Sequence, residues 1–70
     1  MTHDEAMNAA RKGQYVRHRD HNKGWTIGMI AGMSELWCFN PHTGSEYLYQ
    51  PMQRDKERTD WRIAKNKRDA

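Results

Sequence analysis

The sequence predicts an α+β fold: an N-terminal helix packed on an antiparallel meander sheet of four to five strands. Three observations carry this. A capped helical pattern opens the chain between Thr2 and Gly13. Short runs with two-residue apolar alternation follow, each bounded by polar, Gly, Asn or Pro turns. Beyond residue 13 no further stretch carries long helical periodicity. Residues 1–64 are expected to form one small domain, and residues 65–70 a basic, flexible tail.

The helix begins at a capping box. Thr2 can accept from the amide of Glu5, and Glu5 can reach back to the amide of Thr2. Asp4 and Glu5 suit the positive end of the helix dipole, and Arg11 and Lys12 the negative end. Ala6, Met7, Ala9 and Ala10 form the apolar stripe, and Gly13 is placed to end the helix. The first strand runs from Gln14 to His18. A polar turn, Arg19 to Gly24, leads to a strand over Trp25–Ile30, with Trp25, Ile27 and Met29 on one face. Gly28 in its middle signals a bulge or the close approach of another backbone. The third strand spans Glu35–Phe39, with Trp37 and Phe39 on one side and Leu36 and Cys38 on the other. Asn40-Pro41-His42-Thr43-Gly44 is a turn. The fourth strand, Glu46–Gln50, stops at Pro51. Met52–Thr59 is polar, with room for one helical turn. Trp61-Arg62-Ile63 supplies the last strand.

Seventy residues bury little core, and chains this short often need a disulfide, a metal or a second copy. Cys38 is the only cysteine, so a disulfide within the chain is excluded and a reducing compartment is implied. Mean hydropathy is -1.22, polar for a monomer, while three Trp, three Tyr and five Met suit contact surfaces. A homo-oligomer is therefore expected; a folded monomer in sedimentation at micromolar concentration would remove that expectation. No apolar run approaches membrane-spanning length and no signal-peptide pattern opens the chain, so a cytoplasmic location is expected. Residues 1–50 hold five Lys/Arg and five Asp/Glu. Residues 51–70 hold seven and four, which supplies the whole net charge of +3. That excess reads as a solvated tail rather than a nucleic-acid footprint, which would need a basic stripe on the folded part.

Several side chains have both a structural and a functional reading. Trp37 and Trp61 are assigned to the core. Trp25, beside a turn, and Tyr47 and Tyr49, on one strand face, are candidates to stack on a planar ligand. Arg17 and Arg19 could make bidentate phosphate contacts. His21, Asn22 and Lys23 could meet ribose hydroxyls or phosphate, or could be ordinary turn residues. Asp55 and Asp60 could accept from a hydroxyl, with turn capping favoured for Asp60. His18, His21, Cys38 and His42 have a ligand-like count, but their spacing fits no standard zinc site and no metal is assigned. No phosphate loop, serine elbow or metalloprotease helix is present, and Cys38 lies in mid-strand as a structural thiol. The chain therefore reads as a binder rather than an enzyme, with no cofactor.

One ordered set of residues resembles a known family. It comprises Thr2, Glu5-Ala6, Ala9, Gly13, Val16 and Arg17 to Arg19, then Asn22-Lys23-Gly24. It continues with Tyr47 to Gln50, Pro51, Asp55 and Asp60-Trp61, followed by Ile63. In this order the chain resembles the small phage and prophage proteins known as the second type of Thoeris anti-defence protein. His21 stands where that family usually carries a tryptophan, and the middle of the chain is shorter. The resemblance implies a sponge: a homo-oligomer that binds a cyclic ADP-ribose-type signal at subunit interfaces and does not degrade it. Some relatives hold cyclic dinucleotides. On this reading the ligand-binding set is Arg17, His21, Asn22, Trp25, Tyr47, Tyr49 and Asp55. The alternatives are a small nucleic-acid-binding module and an inhibitor that masks a host protein.

Overall fold

The structure, a computed structural model, describes residues 1–20 and 25–64. Helix α1 (His3–Arg11) is followed by strands β1 (Tyr15–His18), β2 (Thr26–Met29), β3 (Leu36–Phe39) and β4 (Glu46–Leu48). A short helix α2 (Gln53–Glu57) then leads to β5 (Trp61–Ala64). Turn residues His21 and Asn22 and the basic tail expected at 65–70 lie outside the described residues.

Both ends of α1 are fixed by its own sequence. The Glu5 amide donates to Thr2 Oγ1 at 3.2 Å and the Thr2 amide to Glu5 Oε1 at 2.8 Å. The Thr2 amide, and after it the Thr2 side chain, lower the pKa of Glu5, since they favour its charged form. At the other end Gly13 takes φ +103°. Its amide reaches Ala10 O, and that of Gln14 reaches Ala9 O, which closes the helix in a Schellman turn. The buried residues His3, Ala6, Met7 and Ala10 recur at three- and four-residue spacing and turn one stripe onto the sheet.

All five strands pair antiparallel in the order β4-β3-β2-β1-β5. Strands β1 to β4 form the expected meander. β5 departs from it: it adds beside β1, at the far edge from β4. The register Tyr15↔Ala64 to His18↔Trp61 sets Trp61 against His18. The chain from Tyr49 to Asp60 therefore crosses the sheet's width, a span of about 19 Å at the usual strand spacing. The reason is burial. Trp61, 2% exposed, joins Ala6, Met7, Ala10, Val16, Ile27 and Leu36 in a core that β4, exposed throughout, does not reach.

Strand alternation divides the rest. Val16, Ile27, Cys38 and Tyr47 are register partners and share the helix-covered face. Trp37, Phe39 and Thr26 lie on the other face. Trp37, expected in the core, is half-buried outside it, because α1 covers only one side of the sheet. Phe39 is buried there against Tyr15, edge to face at 5.7 Å. Gly28 is explained by the same group. A Cβ at this position would lie 2.5 Å from Tyr15 Cδ1, so the close approach is that of a side chain and not of another backbone.

Candidate functional site

The site forms where the end of β1, α2 and the start of β5 converge. β4 ends at Leu48, two residues short of the expected Gln50, and α2 begins two residues after Pro51. Asp55 lies in its first turn, and its Oδ2 accepts from the Met52 amide at 3.3 Å. The same oxygen accepts from the Tyr49 hydroxyl at 3.2 Å. His3 Nε2 stands 3.3 Å from that hydroxyl. A phenol has one proton, and here it goes to Asp55, so His3 Nε2 must supply the N–H to the Tyr49 oxygen. The chain His3 to Tyr49 to Asp55 thus has a fixed direction, and it ties α1 to α2 through the side chain that follows β4.

Two further groups hold Asp55. The Trp61 indole donates to its backbone carbonyl at 3.2 Å. His18 Nε2 faces its Oδ1 at 3.7 Å, close enough for charge attraction but too long for a hydrogen bond. His18 Nδ1 accepts from the Asp20 amide at 3.1 Å, which puts the neutral ring's proton on Nε2. The His18 ring is buried and meets Trp61 edge-on at 4.8 Å. Burial lowers its pKa below the ordinary 6.5 and Arg58 adds to this, against the opposing pull of Asp55, Asp60 and Asp20.

Arg58 closes the lower rim. Its Nη2 donates to Asp20 at 2.8 Å, and its Nε and Nη2 grip Asp60 in a fork. The guanidinium holds the Asp60 carboxyl well below the usual carboxylate range and lowers Asp20 as well. Turn capping was favoured for Asp60 above; its side chain bonds its own backbone and also belongs to this ion-pair cluster. Tyr49 is half-buried, and burial first, then the Asp55 charge, raises its pKa. Burial, with a contribution from Asp55, pushes the Cys38 thiol up to about 11. At neutral pH Cys38 is therefore a thiol, not a thiolate nucleophile.

Around these groups lies an open cavity of about 380 Å³ lined by His18, Asp20, Met52, Arg54, Asp55 and Arg58, within the size range of small-molecule sites. Arg54 is exposed and has no ion pair to another described residue. The cavity so offers an oriented carboxylate and an uncommitted cation, with a methionine as its apolar wall. Among the described residues no three His, Cys, Asp or Glu side chains converge as a metal-holding group.

The residues expected from sequence are only partly brought together. Tyr49 and Asp55 are bonded to each other at the cavity. Trp25 and Tyr47 stack on one another, rings 6.1 Å apart and 8° from parallel, away from its lining. Tyr47 is 50% exposed, so this pair still offers an open aromatic face. Arg17 is buried, and the Val16↔Ile27 register puts it on the face opposite α1, so it does not join Asp55. Arg19 is exposed between the Asp20 and Asp60 carboxylates. Sequence reasoning missed His3, Asp20, Arg54 and Arg58, and weighed His18 only as a metal ligand. The signal for His18 was available: it shares the Val16 face of β1 and so points to the core side.

Comparison of the chain with protein-family models, with curated proteins and with solved structures finds no match. No helix of the described residues is long and apolar enough to cross a membrane.

Proposed function

We propose that the chain is a phage-type anti-defence protein that holds a cyclic ADP-ribose-type or other cyclic nucleotide signal without degrading it. It would do so in the host cytosol as a homo-oligomer. The observation that supports this best is the cavity in which Asp55 is oriented by Tyr49 with Arg54 on the same wall. Ribose hydroxyls need an acceptor such as an ionised carboxylate, and phosphate needs a cation, and the two stand side by side. The Trp25–Tyr47 pair supplies a π-face for a base. A stacked base contributes about 1–3 kcal/mol in single-strand binders. The family resemblance along residues 2–64 points the same way.

The test is thermal melting with a panel of cyclic ADP-ribose isomers and cyclic dinucleotides. A ligand at a hundredfold excess over Kd stabilises by about 2.7 kcal/mol, or more than about 10 °C in a domain this small. A shift with one member, and recovery of that member intact after heating, is the expected result. A hydrolysed product would overturn sequestration. No shift with any member would withdraw the nucleotide reading in favour of a second one, an inhibitor that masks a host protein. That reading is favoured by edge strand β4, whose Glu46, Tyr47 and Leu48 are all exposed and open to strand addition.

A further inference from the structure

The cavity wall contains a titratable ring whose two nitrogens have opposite tasks. His18 Nδ1 must be bare to receive the Asp20 amide, and Nε2 carries the proton toward Asp55. The ring has no room to rearrange freely. It is 6% exposed and wedged edge-on against Trp61. A second proton can enter only at Nδ1, where it meets the Asp20 N–H donor to donor.

We propose that His18 is an acid-sensitive latch on this cavity: protonation at Nδ1 expels the Asp20 amide and turns a full positive charge onto the Asp55 carboxylate. Both effects act on the same wall. Asp20, released from the ring, carries its contact with Arg58 along with it. Asp55, now facing an imidazolium across 3.7 Å, is drawn toward its own protein and away from a guest. The cavity is thus built for neutral pH and dismantled by acid.

The surroundings fix how the latch responds. Facing the ring are Asp55 from α2, Arg58 just after it and Asp60 ahead of β5. Arg19 and Asp20 follow it just beyond the end of β1, His3 lies across the Trp61 indole, and Arg54 stands on the cavity wall. Arg58 is the cation committed to this cluster, and it is shared between Asp20 and Asp60. Three carboxylates would favour the charged ring, but two of them are already spent on Arg58. Burial and that guanidinium therefore prevail, and the latch stays shut at neutral pH.

That the latch regulates binding rests on the reading of the cavity as a ligand site; the latch itself does not, and it is tested without ligand. The experiment is a pH titration of the ¹⁵N-labelled protein by NMR, with His18→Asn beside the native chain. An Asn Oδ1 stands roughly where Nδ1 does and can accept the Asp20 amide without titrating. Long-range ¹⁵N–¹H spectra at neutral pH should show the His18 proton on Nε2. As pH falls below the ordinary imidazole range, the Asp20 amide should move and lose exchange protection with the midpoint of the His18 ring. In His18→Asn that amide should stay in place. A proton on Nδ1 in the native neutral ring would overturn the proposal whether or not the variant folds. So would an Asp20 amide that titrates identically in the variant, or one that stays fixed while His18 titrates. Failure of every nucleotide in the melting panel would remove the ligand reading and leave these outcomes unaffected.

Discussion

Replacing Tyr49 with Phe removes one oxygen and leaves the ring. That oxygen donates to Asp55 and receives the N–H of His3. A hydrogen bond to a charged group contributes about 1.5–3 kcal/mol, and a buried donor left without a partner costs about 1–3 kcal/mol. The His3 side chain is 9% exposed and that of Asp55 16%, so water replaces the lost partner poorly at His3 and somewhat better at Asp55. The Met52 amide still supports Asp55 in the variant. The expected loss is about 2–4 kcal/mol. A chain of seventy residues has roughly 4–10 kcal/mol of stability in total, so the loss is a large share of it. Urea unfolding reads the effect directly. With a slope near 1 kcal/mol/M for a small domain, the midpoint should fall by about 2–4 M while the slope stays constant. A cycle with His3→Phe should show coupling of at least about 0.5 kcal/mol, because the two side chains share one hydroxyl. A midpoint change below about 0.5 M in Tyr49→Phe would refute the directional chain from α1 to α2.

Two further outcomes are expected. Gly28→Ala places a methyl 2.5 Å from the Tyr15 ring, which Phe39 backs edge-on, and should cost about 1–3 kcal/mol in the same urea assay; Gly28→Ala combined with Tyr15→Ala should remove most of that conflict. The alkaline limb of stability should begin near the ordinary thiol range. Cys38 and Tyr49 both have folded pKa values above their unfolded ones, so the unfolded chain loses protons first. Stability is full below pH 9 and falls as pH rises through about 11, and Cys38→Ala should flatten the first part of that fall in a melting series.

Some elements were legible because their causes are local. Thr2, Glu5 and Gly13 specify the two ends of α1 through bonds within a few residues; β4, expected to run to Gln50 and stop at Pro51, already ends at Leu48. The position of β5 was not legible. Strand alternation says which face Trp61 takes but not which edge of the sheet its strand joins. That is settled by the burial of an indole against His3 and His18, residues more than forty positions away. The binding set suffered for the same reason. Tyr49 and Asp55 are six residues apart and meet across a turn. Arg58 and Asp20 are 38 residues apart, and nothing in either neighbourhood announces the other. Arg17 looked suitable by residue type, but the strand's two-residue period sends it to the opposite face. Trp37 was assigned to the core because a small domain needs its large aromatics there, yet α1 covers only the other face of the sheet.

The route of the chain to β5 has a consequence for the order of assembly. The meander β1–β4 joins neighbours through short turns and can form with little loss of chain freedom. The β1–β5 ladder joins residues 15–18 to 61–64 and closes the longest loop in the sheet. Contacts of that separation form late and slow the search for the native state. The same ladder brings Trp61 under Asp55 and Asp60 beside Arg58, so the cavity comes into being with the final strand. A nascent chain that has emerged only as far as β4 has most of a sheet and no cavity. Competence to capture a guest would then report completion of the fold, and fraying of this one terminal strand would release whatever the cavity holds.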